Sequence, residues 1–354
     1  MLVLVTGGAG FVGSHVVDAL LDAGHAVRCL DVLHPAAHAG APPYLRSEAE
    51  WMAADLRDPQ RATRAVIGVD AVCHQAAMVG LGSDITDVSD YVDHNLMGTA
   101  NLLRALAERS FAGRLVLASS MVVYGEGRYR CPAHGELTPG PRRRVDLEAG
   151  RFDPPCPRCG RGLEPVAVTE DAATDPRNVY AATKLAQEHL CAAFARERED
   201  VALTALRYHN VYGPRMPRDT PYAGVASIFR SDLEAGHPPQ VFEDGAQLRD
   251  FVHVADVARA NLIALARPEP ARGVFNVASG RPRTVGDMAQ TLARAFGTAA
   301  RAPEITGRFR LGDVRHVFAN ADRGRRRLGF AARVSFEAGI AEFARAPLRE
   351  ARSS

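Results

Sequence analysis

The chain has 354 residues, 47% of them hydrophobic and 24% charged, with a formal net charge of +2. That is the composition of an ordinary globular protein long enough for more than one domain. So even a charge balance excludes a strong pull toward nucleic acid or a membrane surface, and no apolar run reaches the length of a membrane span.

The apolar opening "MLVLVTGG" runs straight into a glycine-rich turn, with no basic leader and no cleavage site, so it reads as the first strand of a cytoplasmic protein. In "VTGGAGFVG", Gly7, Gly10 and Gly13 stand between that strand and a helix from Val12 to about Asp22. Such glycines let the backbone turn tightly and approach a pyrophosphate, whose charge meets free N–H groups at the helix start, here around Phe11 and Val12. A second strand, "AVRCLDVL", carries Asp31, whose carboxylate can accept hydrogen bonds from an adenosine ribose and would repel a 2′-phosphate. NAD is favoured over NADP, and a turn-capping Asp is the plainer alternative. After the third strand, "WMAADLRD", Asp55 and Leu56 are placed to hold the adenine edge. The strand "DAVCHQAA", a helix through "NLMGTANLLRALAERS" and the strand "GRLVLASS" follow. Strands interleaved with helices predict a parallel sheet covered on both faces, an α/β fold of the Rossmann type, doubly wound.

From about Arg128 to Pro165 the pattern stops. This stretch is rich in Pro, Gly and Arg, holds three of the six Cys, and reads as an insertion without a helix of its own. "RCPAHG" and "PCPRCG" supply Cys131-x2-His134 and Cys156-x2-Cys159, two chelating pairs of the kind a closed tetrahedral zinc site needs. Unliganded thiols in a loop are the alternative. Cys29, Cys73 and Cys191 lie in strand or helix patterns and read as buried core thiols. Because the insertion follows "VYG" directly, the expected place of a zinc knuckle is the mouth of the active site, where it would shape the substrate pocket.

Of the 43 Lys and Arg residues only Lys184 is a lysine. It lies in "NVYAATKLAQ", four residues after Tyr180 on a helix, so the two share a face. An ammonium beside a phenol stabilises the phenolate and lowers its pKa, and as a compact point charge it can also hold a ribose hydroxyl. The strand "ALTALRYHNV" comes next. Beyond Tyr212 the pattern is mixed and predicts a smaller substrate-binding lobe of non-contiguous pieces, 212–239 and 276–348. The NAD-binding domain would comprise 1–127, 166–211 and about 240–275, with 128–165 as the zinc-binding insertion.

The series "TGGAGFVG", "HQAA", "NLMGTANLL", "LASSMVVYGEG", "YAATK", "LRYHNVYGP", "QLRDFVHVADVA", "FNVASG" and "RLGDVRH" resembles the extended short-chain dehydrogenase/reductase family, the NAD-dependent nucleotide-sugar epimerases and dehydratases. The resemblance implies a catalytic set of Ser120, Tyr180 and Lys184. In it Ser120 hydrogen-bonds the sugar hydroxyl being oxidised and Tyr180 takes the proton. It further implies that Ala76, Ala77, Asn95 and Tyr208 line the NAD site with Tyr180 and Lys184, and that Asn210, Arg249 and Arg310 meet the substrate diphosphate. Homodimers would form through the helices around Asn95 to Ala107 and Ala181 to Phe194. Relatives that eliminate water or decarboxylate carry Glu at the position of Val122, and the 3,5-epimerases tend to carry Cys there. Met121 and Val122 move no proton, which leaves 4-epimerisation through a 4-keto intermediate. Net oxidoreduction of a nucleotide sugar and a non-catalytic NAD-binding regulator are the alternatives. Val79, where some galactose-type epimerases have Lys, leaves the sugar open.

Overall fold

The alternation in the first 125 residues folds as one face-to-face layering of strands and helices. It comprises β1 (Leu2–Thr6), α1 (Phe11–Asp22), β2 (Ala26–Asp31), β3 (Glu50–Ala53), α2 (Pro59–Ala65), β4 (Ala71–His74), α3 (Val88–Tyr91), α4 (Gly98–Glu108) and β5 (Gly113–Ser120). The computed structural model describes residues 1–35, 37–80, 85–218, 224–298 and 300–349. The insertion contributes β6 (Arg128–Cys131), β7 (Gly135–Leu137), α5 (Arg144–Glu148) and β8 (Glu164–Val166). Then come α6 (Val179–Glu197), β9 (Val201–Tyr208), β10 (Asn210–Tyr212), α7 (Val225–Glu234), β11 (Gln240–Val241), β12 (Leu248–Arg249) and β13 (Phe251–His253). The chain ends with α8 (Val254–Ala266), β14 (Gly273–Val277), β15 (Arg283–Thr284), α9 (Val285–Phe296), β16 (Glu304–Ile305) and α10 (Phe336–Arg345).

Seven strands form a parallel sheet in the order β14-β9-β5-β4-β1-β2-β3. The strands are nearly continuous runs of Val, Leu, Ala and Cys because both faces are covered. One face packs Val16, Val17 and Leu20 of α1 with Val257 and Ala264 of α8, and the other packs Leu102 and Leu106 of α4 with Cys191 of α6. Cys29, Cys73 and Cys191 all lie fully within these cores. The strand order reverses between β1 and β4, and ligands of such sheets bind outside the carboxyl ends of the strands at that point. A separate core gathers Phe229 of α7, Val241, Phe251, Met288 and Leu292 of α9, and Ile340 and Phe343 of α10. This core is distinct from the two that cover the faces of the sheet.

Two features depart from the expectation. The insertion has its own secondary structure: β6 pairs antiparallel with both β7 and β8, and α5 is a short helix where none was read. Asp146 anchors that helix by accepting from Arg143 and Arg151, and Leu147 is its single buried apolar residue. One anchor and a terminal glycine, Gly150, are too little to register as helical periodicity. The second departure is a π-helical segment over Val92–Met97, joining α3 to α4. The helix therefore starts before Asn95, and its extra residue per turn re-aims the Asn95 side chain.

Candidate active site

Gly7 takes φ +69, and a Cβ there would stand 2.8 Å from the Ala76 backbone; at Gly13 it would stand 2.0 Å from the Gly7 carbonyl oxygen. The chain can pass this close to β4 and start α1 only without side chains. Gly10 caps α1 with no side-chain hydrogen bond, so the N–H groups of Phe11, Val12 and Gly13 are left for an anion. Asp31 is buried and accepts from the N–H groups of Ala9 (2.9 Å) and Leu33 (2.8 Å). The carboxylate thus holds the glycine turn as well as standing at the place read for the ribose. Asp55 accepts from the N–H and guanidinium of Arg57, and Leu56 is buried beneath Gly98.

The loop after β4 carries Ala76 and Ala77, and it is held from below. Asn95 Oδ1 accepts from the Met78 N–H (2.7 Å), while its Nδ2 donates to Met78 O (3.0 Å) and to Thr183 Oγ1 (2.9 Å). The Tyr208 hydroxyl donates to Asn261 Oδ1 (2.9 Å) and meets the Gln75 amide. Asn95 thus fixes the backbone at Met78, and Tyr208 holds the Gln75 side chain.

Ser120 ends β5 and its Oγ accepts from the Val122 N–H at 3.3 Å. Tyr180 stands in the first turn of α6, whose N-cap Asn178 accepts from the Ala181 N–H at 2.8 Å. These caps place the Ser120 hydroxyl near enough to the Tyr180 phenol to favour its ionised form. Burial pushes the phenol up to about 12, and Ser120 offsets part of that rise. The net shift at Tyr180 is a rise, where a lowering by Lys184 was expected. Burial also brings Lys184 itself down to about 8, against the opposing pull of Cys191 and Glu188. Desolvation is the largest influence on both groups.

Sequence reasoning missed the support behind Ser120. The neighbouring Ser119 hydroxyl donates to Glu188, which is paired to Arg207 at 2.7 and 2.9 Å. Arg207 lies 4.7 Å from the Tyr124 ring centroid. All but the ring partner are buried polar groups on β5, α6 and β9, and they lock the end of the serine strand to the tyrosine helix. Among so many arginines nothing marked Arg207 out. The pairing of its strand beside β5, combined with Glu188 one turn beyond Lys184, was the available signal.

Beyond β9, Asn210 Oδ1 is buried without a hydrogen-bond partner among the described residues. Arg249 donates to the carbonyls of Leu248 (2.8 Å), Val314 (2.7 Å) and Arg315 (2.9 Å), so it anchors the 314–315 segment. Arg310 is exposed and stands 5.3 Å from the Phe242 ring centroid, with Arg308 on the same ring at 5.0 Å. Phe242, Thr306, Gly307, Arg308 and Phe309 line an open cleft of about 520 Å³.

The four expected metal ligands converge within 4.8 Å of one another. Cys131 Sγ is 3.6 Å from His134 Nδ1 and 3.7 Å from Cys159 Sγ, and Cys156 Sγ is 3.5 Å from His134 Nδ1. Burial works against the Cys156 thiolate, but the N–H groups of Arg158 and Cys159, His134 and Cys131 bring its pKa down to about 6.

The family model described as the NAD dependent epimerase/dehydratase family matches residues 3–144 and 159–278. The unmatched gap falls inside the insertion. A dTDP-L-rhamnose 4-epimerase of Burkholderia thailandensis is 35% identical over 347 residues, covering 96% of this chain and 93% of that protein. A putative UDP-glucose 4-epimerase of Methanocaldococcus jannaschii is 28% identical over 341 residues, 96% of each chain. Among solved structures, UDP-glucose 4-epimerase of Thermus thermophilus in complex with NAD superposes with a TM-score of 0.75 at 30% identity, covering 97% of this chain and 98% of that one. The Thermotoga maritima UDP-glucose 4-epimerase with UDP-glucose gives 0.78 at 28% identity, covering 97% of each.

Proposed function

The chain belongs to the NAD dependent epimerase/dehydratase family, and on that premise we propose that it interconverts C4 epimers of a pyrimidine nucleoside diphosphate sugar. The observation that carries this reading is the serine at the end of β5 followed by Met121 and Val122, which hold no second acid or base, with the buried Tyr180 phenol near enough for Ser120 to act on its ionisation. Chemistry confined to one carbon needs one proton acceptor; elimination or epimerisation at a further carbon would need another. The names of the relatives, which act on dTDP and UDP sugars, support the nucleotide class.

The uncapped start of α1 and the Cβ-free cradle of Gly7, Gly10 and Gly13 fit a dinucleotide pyrophosphate, with Asp31 at the ribose and Asp55 and Leu56 at the adenine. Bound NAD supplies a hydride acceptor that returns what it takes, so no cofactor is consumed. Ser120 holds the C4 hydroxyl. Tyr180 takes its proton and gives it back after the keto sugar has turned over in the pocket, and Lys184 donates to the nicotinamide ribose. Asn210, Arg249 and Arg310 are assigned to the diphosphate side, Arg310 from a lobe of 212–239 and 276–348, and Asn210 and Arg249 from an NAD domain of 1–127, 166–211 and about 240–275.

Zinc is the proposed occupant of Cys131, His134, Cys156 and Cys159. Zinc–ligand bonds of about 2.3 Å to sulfur and about 2.0 Å to nitrogen give tetrahedral edges of about 3.8 and about 3.5 Å, the separations already found between these atoms. Four ligands close the shell, which makes the role structural. The protein is assigned to the cytoplasm as a homodimer.

The test is a panel that includes UDP-glucose and dTDP-L-rhamnose, incubated with enzyme in D2O without added cofactor and read by NMR and mass spectrometry. The expected product is inverted at C4, unchanged in mass and free of deuterium. Deuterium incorporation, loss of water or accumulation of NADH would overturn the proposal.

A further inference from the structure

Glu243 is a non-glycine residue in the left-handed region, at φ +54, a conformation that persists only where its surroundings enforce it. Its carboxylate is buried between two guanidiniums: Oε1 is 2.8 Å from Arg142 Nη1 and Oε2 is 2.9 Å from Arg315 Nη1. Arg142 belongs to the insertion. It also donates to the carbonyls of Asp313 (2.7 Å) and Phe152 (3.2 Å). Asp153, three residues before the metal ligand Cys156, bonds both Arg315 Nε (2.8 Å) and His316 Nε2 (3.1 Å). The contact is close along its whole length, since a Cβ on Gly127 at the root of the insertion would stand 2.4 Å from the His316 carbonyl oxygen.

The turn at Glu243 has a second set of partners. Its N–H donates to Arg308 O (2.7 Å), and its carbonyl accepts from the Gly307 N–H (3.1 Å). It therefore fixes, from one side, the segment that follows β16 and leads to Arg310, and from the other it displays Phe242 against Arg308 and Arg310. An aromatic ring flanked by two guanidiniums suits a flat base joined to a diphosphate.

We infer that the metal-held insertion is a buttress for the nucleoside diphosphate end of the substrate: Arg142 and Asp153 clamp the Glu243 turn and the 313–316 segment, so metal loading sets nucleotide affinity. This inference rests on the assignment of Arg310 to the diphosphate, and it moves the insertion's influence from the sugar pocket to the nucleotide. Arg142 acts through Glu243 and is a positioning residue. The sugar chemistry at Ser120 and Tyr180 is left alone.

The experiment is calorimetric titration of UDP and dTDP into the full-length protein and its variants, with zinc measured by mass spectrometry on each sample and kcat and KM measured alongside. Arg142→Ala is expected to keep its zinc, to bind nucleotide about tenfold more weakly and to raise KM with kcat unchanged. Adding Glu243→Gly to it should restore much of the affinity, because glycine holds the turn unaided. Cys156→Ser should lose zinc and weaken nucleotide binding in the same direction. Asp153→Asn, at a side chain that is largely exposed, gives a smaller weakening and decides the matter should the buried variant fail to fold. Unchanged nucleotide affinity in zinc-free Cys156→Ser, or in zinc-loaded Arg142→Ala and Asp153→Asn, overturns the inference. A wild-type protein that turns over no sugar nucleotide would defeat the epimerase reading, and the nucleotide titrations would still decide this one.

Discussion

Lys184 sits almost wholly out of water, and among the described residues it forms no ion pair. Its charge therefore weighs against folding while serving the site. Replacing it with Met keeps most of the volume and removes the penalty. Lys184→Met should lose activity by about 10²–10⁴-fold while its melting temperature rises by about 3 °C or more. The sign with pH follows from the lowered folded pKa. Below about 8 the group is charged in both folded and unfolded chains and the penalty is complete. Between 8 and the ordinary value of 10.5 the folded chain sheds the proton first, so the penalty fades as pH rises. Thermal unfolding of both proteins from pH 7 to 10 should show the gap narrowing over that window; a gap that widens, or an active variant, would refute this role. The position of Lys184 was legible because it breaks a compositional rule and lies one turn from Tyr180. Its effect on the phenol was not, since desolvation depends on neighbours brought from β5 and α3. Glu188 and Arg207 were hidden for a related reason: each is an unremarkable charge until β9 pairs with β5.

At the scale of elements, the strands of the sheet were readable because full burial writes them as apolar runs, and α1 because its glycines have no other use. The insertion was readable only in its ligands. Apart from Pro139 and Pro154, its buried apolar side chains are Tyr129, Cys131, Leu147 and Cys156, a small core to order some forty residues, and two of those four are thiols aimed at the proposed metal. Structural zinc contributes about 10 kcal/mol or more in small metal-held modules, which is the scale of stabilisation this core lacks. One zinc per chain is expected in the protein as isolated. Chelation, or Cys131→Ala, should open 128–165 to limited proteolysis while the circular dichroism of the sheet and its helices persists. A zinc-free protein whose insertion resists protease would show that the Arg142 and Arg315 ion pairs suffice to hold it.

Among the described residues, several large apolar side chains on α6 and the helix leading into α4 are exposed. Val88, Val92 and Met97 on the helix that runs into α4, and Leu190 on α6, are exposed, Met97 by 52% and Leu190 by 38%. Small residues at Ala100, Ala182 and Ala193 lie open beside them, leaving room for close approach of a second helix pair. The amphipathic stripes of these helices predicted the inward faces, which pack on the sheet; the outward residues could not be told from ordinary surface until both helices were seen side by side. The proposed homodimer would cover these side chains, because two helices meeting two of their own kind can bury all four in one isologous contact. Placing a charge on each helix, with Met97→Glu and Leu190→Glu together, should convert a dimer to a monomer in light scattering, while bound NAD is retained because the glycine turn lies on the other side of β4. A wild-type protein that is monomeric at micromolar concentration would remove the premise, and the exposed stripe would then need another partner.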